Sequence, residues 1–156
     1  MARREYYDDP QAPVPNSLVV ATSAVVVDGQ GRILMQRRAD SGNWALPGDG
    51  MAITESLTDS VIREVKEETG DEIEVAGLVG TYTDLRHIIA YSDGEVRWQF
   101  NICYTADIIG GQLAISDEST EIRFVDRNGL DDLPMHASQR LRLRHYLQNR
   151  DCPYLG

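Results

Sequence analysis

Hydrophobic and polar positions divide this chain into segments of different period. From Ser17 to Val27 it is rich in Val and Ala and reads as a buried strand. Asp28-Gly29-Gln30-Gly31 is a turn signal, and Arg32 to Arg38 returns as a second strand, so the pair reads as a hairpin. Residues 40–53 are irregular, punctuated by Gly42, Pro47, Gly48 and Gly50. Then the period changes. Leu57, Val61, Ile62 and Val65 form an apolar stripe at helical spacing. Thr54 or Ser56 can cap that helix at its start, and Gly70 can stop it after Thr69. Strand-like runs follow at Ile73–Tyr82, Val96–Ile109 and Glu121–Val125, with a closing helix over Pro134–Asn149 supported by Leu141, Leu143 and Leu147. Strands with two helices predict an α/β fold with a mixed sheet covered on both faces.

The ends differ from this middle. Residues 1–16 are polar, carry Pro10, Pro13 and Pro15, and read as an extended arm outside the core, with a second subunit as one docking place. The expected organisation is an arm over 1–16, one domain over 17–150 and a short tail over 151–156. A chain of 156 residues is long enough for one domain with a real core.

Composition narrows the class. Hydrophobic residues make up 42%, yet there is no unbroken apolar run of membrane-spanning length, so no membrane partner is expected. Cys103 and Cys152 lack metal-binding spacing, and the start shows no apolar leader; a reducing cytoplasm is the simpler expectation. The formal net charge of -10 argues against binding nucleic acid polymers. Residues 55–72 hold seven acids (Glu55, Asp59, Glu64, Glu67, Glu68, Asp71, Glu72) against Arg63 and Lys66, which is half of that deficit.

Three of those acids carry the candidate chemistry. At about 100° per residue, Glu64, Glu67 and Glu68 lie within an arc of roughly 100° on one side of the helix. Like charges so placed destabilise a bare helix. A cation among them resolves the conflict, and an all-oxygen donor set suits Mg²⁺, with Mn²⁺ as substitute. The apolar stripe lies beside this arc, so the carboxylates belong at the border of the core. A carboxylate-bound divalent ion in turn suggests chemistry on phosphates.

The segment Gly48-Asp49-Gly50-Met51-Ala52-Ile53-Thr54-Glu55, seven further residues, and then Arg63-Glu64-Val65-Lys66-Glu67-Glu68-Thr69-Gly70 resembles the Nudix box, with Trp44-Ala45-Leu46-Pro47-Gly48 as its usual lead-in. The resemblance implies an α/β/α sandwich with a mixed sheet between helices, and hydrolysis of a phosphoanhydride bond in a nucleoside diphosphate derivative. Glu64, Glu67 and Glu68 would hold Mg²⁺, helped by the Gly48 carbonyl, and Arg63 would fix the glutamate rotamers. The general base would be Glu64 or Glu67 on the helix, or a distant residue, with Glu118 ahead of Glu121. Arg37 and Arg38 are candidate substrate ligands. A nucleoside triphosphate or a nucleotide sugar such as ADP-ribose is the expected small-molecule partner, and a homodimer is open to the chain. Some relatives acting on ADP-ribose carry a proline about fifteen residues past the box, where this chain has Leu85, Arg86 and His87.

Three positions depart from the pattern. Asp49 replaces a glycine at a place that often needs positive φ, Ala52 stands where many relatives carry Glu, and Asp71 replaces an aliphatic whose packing Ile73 can supply. These departures support a competing expectation, a catalytically impaired module that senses a nucleotide. Other residues have ordinary readings: core packing for Trp44 and Trp98, scattered roles for His87, His136 and His145, and a solvated face for Arg140, Arg142 and Arg144.

Overall fold

The computed structural model describes residues 2–156. In chain order the elements are strands β1 (Arg3–Tyr7), β2 (Ser17–Val27), β3 (Ile33–Arg38) and β4 (Trp44–Ala45), helix α1 (Leu57–Thr69), and strands β5 (Asp71–Tyr82), β6 (His87–Tyr91), β7 (Val96–Gly111) and β8 (Ser119–Val125). A 3₁₀ turn (Arg127–Asp132), helix α2 (Ala137–Leu147) and strand β9 (Tyr154–Leu155) complete the chain. All nine strands belong to one mixed sheet. Its long axis is β7, which runs parallel to β2 on one edge and antiparallel to β5 and β6 on the other. No helix among the described residues is long and apolar enough to cross a membrane.

The apolar run in β2 follows from burial on both faces. Alternate side chains go to opposite sides. Ala24 and Val26 pack under α1 with Leu34, Val61, Val65, Ile73 and Ala106. Val25 points the other way, into a larger cluster with Met35, Trp44, Tyr82, Cys103 and Leu143 of α2. Val61 and Val65 are fully buried, each burial contributing on the order of 1.5–3 kcal/mol. Ile73 fills the place expected of it, at 2% exposure, whereas Ile62 turns out to solvent at 39% because it sits past the edge of the α1 stripe.

Helix α1 begins at a reciprocal cap. The Ser56 hydroxyl accepts from the Asp59 backbone N–H (3.1 Å), and the Asp59 carboxylate accepts from the Ser56 N–H (3.2 Å). It ends at Gly70 with φ +82, where a Cβ would lie 2.1 Å from the Gln112 carbonyl oxygen, so no other residue fits.

Several segments pair differently from the expectation. The β2–β3 hairpin touches at a single pair, Val27 with Ile33, because both edges of β2 are otherwise taken, one of them by β7 along its whole length. The other edge of β2 is covered by the box loop instead. Thr22 N–H donates to the Asp49 carbonyl (3.0 Å), Ala24 N–H to Pro47 (3.1 Å), and Met51 N–H donates back to Val20 (2.9 Å). The polar N-terminal segment joins the sheet of its own chain: β1 pairs with β6 from Arg3–Tyr91 to Tyr7–His87. Tyr154 and Leu155 pair with Gly80 and Thr81 of β5. Both cysteines are free, Cys103 buried and Cys152 exposed.

Candidate active site

The box loop and α1 meet at one end of β2 and β3. Helical spacing puts Glu64 and Glu68 four residues apart and both turn inward, at 8% and 4% exposure. Glu67, a further step round the helix, has a side chain 59% exposed. Glu68 is held from two sides. Its Oε2 accepts from the Gln36 amide (2.8 Å) and from the Gly48 backbone N–H (2.8 Å). Gly48 has φ +140, and a Cβ there would lie 2.0 Å from the Thr22 carbonyl oxygen. Bare backbone is therefore the only thing that can run between β2 and Glu68 at this point.

Arg63 organises the neighbouring acids. It forms a bidentate pair with Glu55, donates to Glu64 Oε1 (2.6 Å) and Glu67 Oε2 (3.1 Å), and reaches the Gly50 carbonyl (3.4 Å). Glu55 also accepts from the Ala52 N–H (2.9 Å), tying the loop to the helix start. Through its hydrogen bonds with Arg63, Glu55 has its pKa lowered to about 2. The two buried glutamates move the opposite way. Burial pushes Glu64 up to about 7, against the pull of Arg63. Burial pushes Glu68 up to about 8, with the Glu64 charge adding to the rise and the Gly48 and Gln36 donors opposing it.

A second group of acids closes on Glu68 from other elements. Carboxylate oxygens of Asp49, Glu68 and Glu118 all lie within 4.8 Å of one another. Glu118 comes from the turn before β8, anchored where its carbonyl accepts from the Ala39 N–H (2.9 Å). Asp49 is not in the left-handed backbone region, since the positive φ belongs to Gly48, so the Gly-to-Asp departure carries no backbone strain. Its Oδ1 accepts from the Gly50 N–H (2.7 Å). The donor set is all oxygen, carries an excess of negative charge and holds one carboxylate, Glu68, nearly out of water. That is chemistry a hard divalent cation fits.

Beside the acids lies a cleft lined by Asp49, Arg38 of β3, His87 of β6, Asn101 of β7, His136 at the cap of α2 and Arg142 within α2. Of the two candidate arginines only Arg38 lines it, because the pleat sends Gln36 and Arg38 to one face and Arg37 to the other. Arg38 is paired with Asp40 (2.9 and 2.7 Å), and Arg37 is exposed with its Nε on the Gly42 carbonyl (3.1 Å). Glu121 lies outside the acid cluster, paired with Arg123 (3.5 Å).

Sequence reasoning missed Gln36, His87, His136 and Arg142. Gln36 was recoverable, since it stands two residues before Arg38 on the same face. The histidines scattered along the chain converge: His87 Nε2 lies 2.8 Å from Glu5 Oε2, and the His87 and His136 rings stack at 4.3 Å. No local signal joins residues 5, 87 and 136. Arg142 is the clearest correction. It was expected on a solvated face and is 7% exposed, because α2 lays that residue against the Tyr82 ring and the cleft. Trp44, at 4%, is core as expected.

Residues 17–147 match the NUDIX domain family. A MutT-like protein of Streptomyces ambofaciens is 36% identical over 122 residues, covering 77% of this chain and 72% of the relative. An ADP-ribose pyrophosphatase of Methanocaldococcus jannaschii is 35% identical over 118 residues, covering 70% and 66%. A solved NUDIX hydrolase from Nitrosomonas europaea superposes with a TM-score of 0.71 at 20% identity, covering 95% of this chain and 80% of that one, which speaks to the fold alone. A family match across most of the chain, on a fold that delivers the box glutamates to a side-chain-free loop, makes this protein a member of the Nudix hydrolase family.

Proposed function

We propose that the chain hydrolyses a phosphoanhydride bond of a nucleoside diphosphate derivative with the help of Mg²⁺, for which Mn²⁺ can substitute. The observation that carries this reading is the burial of Glu64 and Glu68 on one side of α1, with Glu68 held on the bare Gly48 backbone and Asp49 and Glu118 converging on it. Glu64, Glu67, Glu68 and the Gly48 carbonyl are the residues that would hold the ion, and Asp49 adds a carboxylate the family pattern lacks. When bound, the ion would neutralise the diphosphate and lower the pKa of a water beside it.

The chain's own residues supply the rest. Arg63 spans Glu55, Glu64 and Glu67, so it sets their rotamers before substrate arrives. Gln36 does the same for Glu68. Glu118 is the proton acceptor this geometry favours. It is exposed, and its carboxylate accepts no hydrogen bond from the described residues, whereas Glu64 and Glu67 are both engaged by Arg63. Arg38, at the wall of the cleft, would exchange part of its contact with Asp40 for the substrate. Arg37 would reach the substrate only by leaving Gly42.

The relative from Methanocaldococcus jannaschii supports ADP-ribose as one substrate to try, and nucleoside triphosphates are the other class. The test is release of phosphate or diphosphate from a nucleotide panel in the presence of Mg²⁺. Turnover that disappears in the Glu67→Gln, Glu68→Gln double variant supports the hydrolase. Tight nucleotide binding with no turnover on any substrate supports a sensor module. A flat calorimetric titration with saturating Mg²⁺ and Mn²⁺, with and without nucleotide, removes the metal from the account.

A further inference from the structure

The floor of the cleft holds a charge that the reaction outlined above does not use. Arg142 is 7% exposed and, among the described residues, makes no hydrogen bond and no ion pair; its Nε is sealed from water with no acceptor. A buried guanidinium without a counter-ion is unfavourable. Of the other charged groups lining the cleft, Asp49 belongs to the acid cluster and the rest are already matched. Arg38 has Asp40, and Arg3 has Glu5. Glu5, the acid on the Arg142 side, also accepts from His87 Nε2 at 2.8 Å. His136 adds no negative charge. Its Nδ1 accepts from the Ser138 backbone N–H (3.1 Å), so in the neutral ring the proton sits on Nε2, which faces Glu5 at 3.7 Å. The same tautomer leaves no free lone pair at Nε2, so Glu5, His87 and His136 are a poor metal-binding set. Tyr82 offers Arg142 a ring face at 5.7 Å, which eases the desolvation but supplies no charge.

We propose that Arg142 receives a phosphoryl group of the substrate other than the two at the acid cluster. The substrate class is then one with a third phosphate: a nucleoside triphosphate, or a dinucleotide-type diphosphate that carries a phosphomonoester. This rests on the hydrolase reading and deepens it. A fixed guanidinium fork matches phosphate oxygens two at a time, and a phosphoryl group brings the negative charge the site lacks, which a neutral sugar or base does not. Asp49 lines the cleft and also belongs to the acid cluster with Glu68, so one molecule can present a diphosphate to the acids and a further phosphoryl group to Arg142.

The first arm of the test needs no turnover. Inorganic phosphate is titrated into the metal-free protein in EDTA while the arginine Nε–H resonances are followed by NMR, with Arg142 assigned by its loss in Arg142→Met. The expected result is a saturating shift of the Arg142 signal and at least tenfold weaker phosphate binding in Arg142→Met, with part of the affinity kept by Arg142→Lys. Equal phosphate affinity in wild type and Arg142→Met overturns the proposal. Removing an uncompensated buried charge for an apolar chain of similar length leaves the fold intact, and a melting temperature at or above that of wild type checks this. If Arg142→Met does not fold, Arg142→Lys against wild type carries the same comparison, and an unchanged affinity is again fatal. In the second arm, kcat/KM with Mg²⁺ is compared for ATP, ADP-ribose and ADP-ribose 2′-phosphate, the first and last separating the two sources of the third phosphate. Arg142→Met should lose at least tenfold on one or both of them and less than twofold on ADP-ribose. An equal loss on all three overturns the proposal. Absence of turnover on all three counts against hydrolysis, and the phosphate titration then decides Arg142 alone.

Discussion

Helix α1 buries two carboxylates and α2 buries one guanidinium, and the surroundings of the two differ. Glu64 and Glu68 are wrapped in donors supplied by nearby chain: Arg63 one residue away, the Gly48 N–H, and Gln36 from the adjacent strand. Arg142 has only an aromatic face. In the first case the protein prepares a site whose charge is half-compensated before a ligand arrives. In the second it leaves the compensation to something outside the chain. The contrast teaches that burial of a charge is not by itself informative; the count of partners is.

The largest effect that bears on this contrast should come from Glu68. Glu68→Gln removes a buried carboxylate that no other residue can replace, and turnover should fall by about 10³-fold, equivalent to about 4 kcal/mol. The same change should raise the melting temperature of the metal-free protein at neutral pH, since Gln is neutral in both states whereas Glu68 must take up a proton on folding. A variant that keeps more than a tenth of the activity would place the metal elsewhere. Gln36→Met comes next. It leaves every acid in place and removes one donor to Glu68, so metal affinity measured by calorimetry should drop about 10–100-fold. An unchanged affinity would reduce Gln36 to a packing residue.

A pH series sharpens the comparison further. Glu64 and Glu68 are raised to about 7 and about 8 from an ordinary value of 4.5. Below about pH 4.5 both folded and unfolded states hold these protons, and no difference arises. Between there and about pH 8 the unfolded chain has released them while the folded chain retains them. Stability of the metal-free protein should therefore decline as pH rises through that window, and Mg²⁺ should offset the decline. Urea midpoints in EDTA at pH 5.5 and pH 8 read this directly, and a higher midpoint at pH 8 would contradict the burial argument. The smallest effect belongs to the helix start. Ser56→Ala breaks the reciprocal cap of α1 and should cost about 1 kcal/mol of stability, with metal affinity held within twofold. A large loss of metal binding there would mean that the cap, and not Arg63, orients the glutamates.

Much of the site was legible because its information is local. The box, the cap at Ser56, the stop at Gly70 and the pairing of Glu64 with Glu68 all depend on residues within one loop and one helix. The Val- and Ala-rich run of β2 likewise foretold a buried strand. Glu118 was a candidate before its position was known, and the fold brings it to within 4.8 Å of Asp49 and Glu68. The β1 strand was harder. Arg-Arg-Glu-Tyr-Tyr has no apolar alternation, and its place is set by pairing with β6.

The sequence alone determined the strand–loop–helix that presents the carboxylates, since hydrogen bonds within a helix act over three or four residues and leave a readable period. Tertiary structure alone decided which face of α2 is buried, that Arg38 and not Arg37 meets the cleft, and that residues 5, 87 and 136 come together. Those outcomes depend on how distant strands register and pack, and register is a sum of many weak contacts that no single stretch of chain records.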